Sequence, residues 1–367
     1  MKRIVILTAT RAEYGLLQPI IKKFQQESGY EMLLAVTGMH LSPEFGLTVH
    51  EIECDGIPIN KRIEIVLSSD TPVSISKSMG LAMISFSEYF EECKPDALMV
   101  LGDRYETLAV CCAAMNARIP IFHLHGGDVT EGMIDEAVRH CITKMSYLHF
   151  ASIEAYRTRI IQMGESPDRT FHVGAMGVEN ALHIMPISLS ELEAGIGYEL
   201  GNHYAVGTFH PVTLEHSTAE TQIREILSAI DCHKDIRFLF TKANSDTNGR
   251  IINKILSDYA AKNSNFYLVD SLGRKRYMSA LRYAEFVIGN SSSGLMEAPS
   301  FGIPTIDIGD RQKGRIAGES IIHCQPDSVS VNEAINLALS ERFRKIAGSA
   351  KNPYGDGNTS TKILEIT

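Results

Sequence analysis

The chain has 367 residues, 44% of them hydrophobic and 22% charged, with 35 Lys plus Arg against 44 Asp plus Glu for a net charge of −9. That composition describes a globular protein long enough for two domains, and its acidic balance argues against nucleic acid as the main partner. No stretch approaches the roughly 20 apolar residues of a membrane span, which argues against a membrane partner.

The start, Met1-Lys-Arg-Ile-Val-Ile-Leu-Thr8, has too short an apolar run for a signal peptide. Of the seven Cys, odd in number and without a C-x-x-C, most read as small core residues in a reducing cytoplasm.

In chain order, Ile4 to Leu7 reads as a strand, followed by the turn Thr8-Ala-Thr-Arg-Ala-Glu-Tyr-Gly15 and a helix with Leu16, Leu17, Ile20, Ile21 and Phe24 at helical spacing. A strand, polar turn and helix start is an anion-binding arrangement, because the first helical N–H groups lack partners. The turn has no G-x-G-x-x-G, which argues against a nicotinamide dinucleotide. Arg11 in this turn faces a ligand or lies on the surface at the helix start.

Met32 to Val36 makes a second strand, and 60–72 a loop-like stretch with one short strand. A long helix covers about Ser74 to Glu92. Strands at Ala97 to Leu101, Ile119 to Phe122 and Leu148 to Ala151 follow, with a helix over Ile134 to Met145. Beyond an irregular segment near Pro186, a second set of strands covers Tyr204 to Thr208, Phe238 to Thr241, Phe266 to Val269, Phe286 to Ile288 and Thr305 to Ile308. This alternation predicts two Rossmann-like, doubly wound parallel domains with a hinge near 175–190.

The polar residues that follow these strands carry the chemistry, since in an open α/β sheet the carboxyl ends of strands face the ligand crevice. In the second domain Ile288-Gly-Asn-Ser-Ser-Ser-Gly-Leu-Met-Glu297 places Ser291, Ser292, Ser293 and Gly294 where N–H groups and hydroxyls suit a diphosphate, with Glu297 suited to a ribose. Simple N-capping by Ser291 or Ser292 is the plainer alternative. Arg311 in Gly309-Asp-Arg-Gln-Lys-Gly-Arg315, His210 in Thr208-Phe-His-Pro211 and Asn244 in Thr241-Lys-Ala-Asn-Ser-Asp246 lie at neighbouring strand ends.

The first domain gathers Asp103, Arg104, Glu106, His123, His125, Asp128, Glu131, Asp135, Glu136, Arg139 and His140. Removing a carbon-bound proton calls for a positioned base, and carboxylates with separated pKa values can divide acid and base work. His123, His125 and Asp128 as metal ligands, or 128–136 as a solvated loop, are the alternatives.

Taken together, Thr10-Arg-Ala-Glu-Tyr14, Gly102-Asp-Arg104, His123-Leu-His-Gly-Gly127, Asp135 to His140, Thr208-Phe-His-Pro211, Asn290 to Gly294 and Asn352-Pro-Tyr-Gly-Asp-Gly357 resemble the UDP-N-acetylglucosamine 2-epimerase family. Gly102-Asp-Arg-Tyr-Glu106 and Arg139-His-Cys-Ile-Thr-Lys-Met145 are closer to its hydrolysing branch, which feeds sialic and legionaminic acid synthesis.

The resemblance implies a GT-B fold with the active site in the cleft between its two domains: an N-terminal domain over 1–178, a UDP-binding domain over 179–350, and a C-terminal helix in 351–367 crossing back to the first. It implies anti elimination of UDP from UDP-GlcNAc to 2-acetamidoglucal, then hydration with inversion at C2 to ManNAc. No metal or redox cofactor is implied, and a homodimer or dimer of dimers is.

By the same resemblance Asp103 and Asp135 match acids of the active centre and Arg139 a basic residue there. Arg11, Arg104, His210, Asn244, Ser291, Ser292, Ser293, Gly294, Glu297 and Arg311 match the nucleotide site. Some members have a catalytic Glu where this chain has His125, so the base is His125 itself or Glu131 from the following loop. Members with this variation accept a 2,4-diacetamido-trideoxy sugar in place of GlcNAc. A GT-B glycosyltransferase and a UDP-sugar-binding regulator are the competing readings.

Overall fold

The structure is a computed structural model and describes residues 1–67, 69, 71–129, 134–211, 219–243 and 249–367. The chain forms two compact units, one of residues 1–180 with 354–367 and one of 181–353.

In the first unit seven strands make one sheet: β1 (Lys2–Thr8), β2 (Tyr30–Thr37), β3 (Lys61–Ile63), β4 (Ala97–Leu101), β5 (Ile121–Leu124), β6 (Leu148–Ala151) and β7 (Thr170–His172). Their order is β3-β2-β1-β4-β5-β6-β7, with every pairing parallel. Parallel strands bury both faces, and the alternation in β1 shows it. Ile4 and Ile6 pack with Leu17, Ile20 and Phe24 of the helix Arg11–Gln26, while Val5 and Leu7 pack with Phe86 and Phe90 of the helix Pro72–Cys93. Thr71 caps that second helix through Ser74 N–H, and Pro72 occupies its first turn, where no backbone donor is needed.

The second unit holds β8 (Tyr204–Thr208), β9 (Arg237–Thr241), β10 (Phe266–Val269), β11 (Phe286–Gly289), β12 (Thr305–Ile308) and β13 (Ile321–Cys324). Their order is β10-β9-β8-β11-β12-β13, again parallel. Phe238, Phe240, Phe286, Ile306 and Ile308 fill one side. Tyr204, Val206, Leu239 and Val287 fill the other. In each sheet the winding reverses beside the first strand, at β1/β4 and at β8/β11, which are the ligand-binding positions of doubly wound sheets.

Two details differ from expectation. β5 runs Ile121–Leu124 and not Ile119 to Phe122. Pro120 has no N–H to give the ladder, although its carbonyl still accepts from Leu98 N–H at 2.9 Å. The edge strands β7 and β13, three and four residues long, were not expected because runs so short carry little pattern.

The end of the chain docks onto the first unit. Ala175 N–H donates to the Tyr354 carbonyl at 2.7 Å, and Glu179 accepts from Ser360 N–H at 2.6 Å and from the Ser360 hydroxyl. Ile363 of the helix Thr359–Ile366 enters the same core as Ile4 and Ile6. Among the described residues no helix is long and apolar enough to cross a membrane.

Candidate active site

In the second unit the site is built where β8 and β11 run side by side. Gly289 ends β11 at φ +138, and a Cβ there would stand 1.9 Å from the Thr208 carbonyl oxygen, so only glycine lets the strands close. The next residue, Asn290, is buried and clamps the β8 end. Its Oδ1 accepts from His210 N–H at 2.7 Å and its Nδ2 donates to the His210 carbonyl at 2.8 Å. The Asn290 carbonyl in turn accepts from Arg311 Nη1 at 3.0 Å and Gln312 Nε2 at 2.8 Å. Asn290 thus ties His210 to its side-chain amide and Arg311 and Gln312 to its main-chain carbonyl, directly before the serine turn.

Ser291 stands at the N-cap of the short helix Ser292–Met296 but makes no side-chain cap bond. The plainer capping reading of Ser291 is therefore not what the structure shows. Gly294 lies under the turn, where a Cβ would come within 2.9 Å of Thr305 Cγ2. Beyond it, burial pushes the Glu297 carboxyl above its ordinary range, opposed by the Ser293 hydroxyl and the Arg315 charge. Asn244 lies outside the described residues.

In the first unit the corresponding place is the end of β1 beside β4. Thr10 and Glu13 form a capping box: Glu13 N–H donates to Thr10 Oγ1, while Glu13 Oε2 accepts from the N–H groups of Ala9 (2.8 Å) and Thr10 (3.1 Å). Glu13 is buried, and desolvation together with the Glu106 carboxylate pushes its pKa up to about 7. Arg104 Nε donates to fully buried Glu106 at 2.7 Å, and Arg104 Nη2 lies 3.7 Å from Met39 Sδ. Arg104 is thus turned inward and holds a buried carboxylate. Arg11 is exposed, 3.7 Å from Glu51.

The Glu13 shift makes a stability prediction. The native state holds the Glu13 proton from 4.5, its ordinary value, up to about 7, so the stability this group contributes is complete below 4.5 and is lost as pH rises through 7. That loss amounts to at most about 3 kcal/mol. Glu13→Gln should flatten this part of the pH dependence, measured by urea unfolding at acidic and mildly alkaline pH. An unchanged slope would place the proton elsewhere.

At the end of β4, Asp103 is fastened from below. Arg139, on the helix Ile134–Met145, donates to Asp103 Oδ2 through Nε at 2.8 Å and through Nη2, and to the Asp128 carbonyl through Nη1 at 2.7 Å. Arg139 is only 3% exposed. A guanidinium in that position is held by its carboxylate partner and fixes the Asp103 carboxylate in one orientation. Asp135 lies one helical turn before Arg139, on the same helix face. Asp128 is buried, with Oδ1 accepting from Ser152 Oγ at 3.3 Å. Glu131 lies outside the described residues.

The two histidines of this segment differ. His123 sits inside β5, fully buried, with Nε2 2.8 Å from the Gly102 carbonyl and Nδ1 3.3 Å from Thr143 Oγ1. Burial pulls its pKa down to about 3, so it is a neutral strut under the Gly102-Asp103 turn, with neither nitrogen open to a metal. His125 takes the left-handed backbone at φ +63, a conformation costing a non-glycine residue roughly 1–2 kcal/mol. Its Nε2 accepts from Met176 N–H at 3.4 Å. With Nε2 accepting, the ring proton belongs on Nδ1. Among the described residues no three His, Cys, Asp or Glu side chains gather as metal ligands.

Sequence reasoning did not single out Asn290 as the clamp, or Glu13 as a buried acid. A signal for Asn290 existed: a lone amide directly after a strand-ending glycine, before three serines.

Two parallel sheets that share the 3-2-1-4-5-6 order, the first extended by a seventh strand, each with polar residues collected where the winding reverses, define a two-domain protein of the GT-B class. The family model for UDP-N-acetylglucosamine 2-epimerase matches residues 22–367. The chain is 41% identical over 345 residues to a Campylobacter jejuni GDP/UDP-N,N'-diacetylbacillosamine 2-epimerase (hydrolyzing), covering 94% of this chain and 89% of that one. It is 39% identical over 367 residues to the Escherichia coli polysialic acid biosynthesis protein P7, covering 100% and 93%. Among solved structures, the Neisseria meningitidis UDP-GlcNAc 2-epimerase bound to UDP-GlcNAc superposes with a TM-score of 0.77 at 20% identity, covering 100% and 99%. The chain belongs to the UDP-N-acetylglucosamine 2-epimerase family.

Proposed function

We propose that this protein is a hydrolysing UDP-GlcNAc 2-epimerase of surface-sugar biosynthesis, converting UDP-GlcNAc and water into ManNAc and UDP. The observation that carries this reading is Asp103, pinned at the end of β4 by buried Arg139, in a chain similar over nearly its whole length to a hydrolysing 2-epimerase.

The chemistry follows from the bonds involved. A carboxylate takes the proton from C2 while the C1–O bond breaks and its electron pair leaves with UDP, forming 2-acetamidoglucal. Water then adds hydroxyl at C1, and a proton returns to C2 on the opposite face, which inverts that centre. We assign the proton transfers to Asp103 and Asp135, with Arg139 holding Asp103 in register. Glu131 is the further candidate base. His125 serves as a hydrogen-bond donor, because its Nε2 is engaged by Met176 N–H.

Nucleotide binding falls to His210, Asn244, Ser291, Ser292, Ser293, Gly294, Glu297 and Arg311, with Arg11 as a phosphate contact. Arg104, tied to Glu106, supports that loop. Ser291→Ala and Arg311→Ala should each weaken UDP binding about tenfold, the loss of roughly one charge-assisted or well-placed hydrogen bond. Isothermal titration checks this, and an unchanged Kd for both would remove them from the site.

A second sugar is favoured by one observation. The Campylobacter relative, and a Legionella pneumophila relative 32% identical, are both named for diacetylbacillosamine. Incubation with UDP-GlcNAc and with UDP-2,4-diacetamido-2,4,6-trideoxyglucose, each without an acceptor, tests the reading. Free UDP from either supports hydrolysis, and the faster substrate identifies the sugar. No UDP from either contradicts the proposal and favours a glycosyltransferase. The reading extends to a cytoplasmic homodimer or dimer of dimers, and the seven unpaired cysteines suit a reducing compartment.

A further inference from the structure

Side chains alternate along β12, and its two faces meet different surroundings. Ile306 and Ile308 enter the aromatic core of the second sheet, whereas Thr305 and Asp307 turn to the opposite face. The serine turn sits directly on that face: a Cβ at Gly294 would come within 2.9 Å of Thr305 Cγ2, and Asp307 pairs with Gly289 across β11 and β12. Thr208, Tyr277, Ser291, Gly294, Thr305 and Asp307 line one small enclosed cavity beneath the turn. Asp307 is buried, and among the described residues its Oδ1 and Thr305 Oγ1 make no hydrogen bond. A carboxylate is thus buried under the turn assigned to a diphosphate, where like charges oppose each other.

His323, on the edge strand β13, answers that charge. Its Nδ1 lies 2.9 Å from Asp307 Oδ2, with the carboxylate 2% exposed and the imidazole 59%. The hydrogen bond to Asp307 holds the His323 imidazolium above its ordinary 6.5, against partial burial. On the far side of the pair an open cavity is lined by Asp310, Lys313, Arg315 and Glu333, two acids and two bases. Burial pushes the Cys324 thiol and the Tyr277 hydroxyl each up to about 12, so neither changes charge near neutral pH. Asp327, beyond Cys324, is held below its ordinary range by Ser330 N–H. His323 is the group of this set whose charge changes near neutral pH.

We infer that Asp307 and His323 tune nucleotide affinity from beneath the serine turn: with His323 protonated the pair is neutral and the turn accepts a diphosphate, whereas loss of that proton leaves a buried negative charge that opposes it. The inference rests on the reading of this turn as the UDP site, and it adds two residues that act through the turn without touching the nucleotide. Linkage fixes the sign. If protonated His323 favours UDP, UDP favours protonated His323, so binding takes up a fraction of a proton and affinity falls as pH rises. Solvent screens the exposed imidazole, which limits the effect to about fivefold in Kd.

Calorimetric titration of the full chain with UDP, at neutral and at mildly alkaline pH, tests this. Both conditions lie above the phosphate pKa of about 6, so UDP keeps one charge state. The wild-type Kd is expected to rise about fivefold between them. His323→Gln should hold Kd at the weaker value under both conditions, and should abolish the proton uptake seen when neutral-pH titrations are repeated in buffers of different ionisation enthalpy. Asp307→Asn should bind at least as tightly as the wild type at neutral pH and show no rise. The two variants therefore move in opposite directions, which a merely structural role would not produce. Any contribution from His210 is common to all three proteins and cancels in the comparison. Weaker binding in both variants would make the pair a structural tie and overturn the inference. An unchanged pH slope and proton uptake in His323→Gln would overturn it too, with the UDP site left standing. A wild type that binds no UDP would overturn the site and the inference together.

Discussion

Asp103→Asn is expected to lower turnover by roughly 10²–10⁴-fold, the range for loss of a positioned acid or base, while UDP binds within about twofold of wild type. The reason is the division of labour in the site. Asp103 stands at the end of β4, held by Nε and Nη2 of Arg139, whereas the residues assigned to UDP cluster around Asn290. Asparagine keeps one oxygen for Arg139 but loses the charge. The buried guanidinium then loses this counter-ion, and part of the roughly 3–5 kcal/mol cost of breaking a buried pair appears as a lower melting temperature. The discount is real because Asp103 is 27% exposed and water screens it. Parallel measurement of turnover, UDP Kd and Tm separates the two effects. Turnover within threefold of wild type would remove Asp103 from the chemistry. A UDP Kd raised as far as turnover is lowered would recast it as a binding residue.

Gly289→Ala is expected to be the most damaging single methyl in the second unit. The added Cβ would stand 1.9 Å from the Thr208 carbonyl oxygen and 2.7 Å from its carbon, both backbone atoms. Gly289 pairs with Thr208 across β11 and β8, and Asn290 N–H donates to the same carbonyl at 3.1 Å. Relief requires parting the two central strands, together with the clamp on His210. The cost should exceed about 4 kcal/mol, the range reserved for core overpacking joined to backbone strain. Gly46→Ala makes the comparison, because Gly46 also has positive φ but a Cβ there meets nothing within 4 Å. Its cost should be about 1 kcal/mol. Urea unfolding of both variants gives the difference. Equal costs would show that the β8–β11 approach is not tight.

The frame of the molecule is legible in the sequence because parallel strands announce themselves. Ile4 to Leu7, Ala97 to Leu101 and Phe238 to Thr241 are short apolar runs, each closed by polar or glycine residues, and their alternation with helices predicts the doubly wound sheets observed. Sheet order was not legible, since which strands neighbour β1 depends on contacts a hundred residues apart.

The site divides in the same way. Asp103, Arg139 and the serine turn could be proposed from local pattern, because each follows or faces a strand end. Their couplings could not. Arg139 reaches Asp103 across 36 residues and Asn290 reaches His210 across 80. His125 is a candidate base because it stands where some family members have a catalytic Glu. Its left-handed backbone and its Met176 partner, 51 residues away, are tertiary facts that local pattern does not carry. Glu13 was hidden for the opposite reason. A Thr-x-x-Glu at a helix start reads as an ordinary cap, and only its own burial, with the Glu106 carboxylate beside it, makes Glu13 a proton-holding group.

The central claim, elimination followed by hydration, is tested most directly by proton NMR of the purified protein with UDP-GlcNAc in D₂O. The account predicts free UDP rising in step with ManNAc that carries deuterium at C2, because the proton lost on forming the glucal is replaced from solvent. ManNAc retaining its C2 proton, or UDP-ManNAc formed without free UDP, would contradict it.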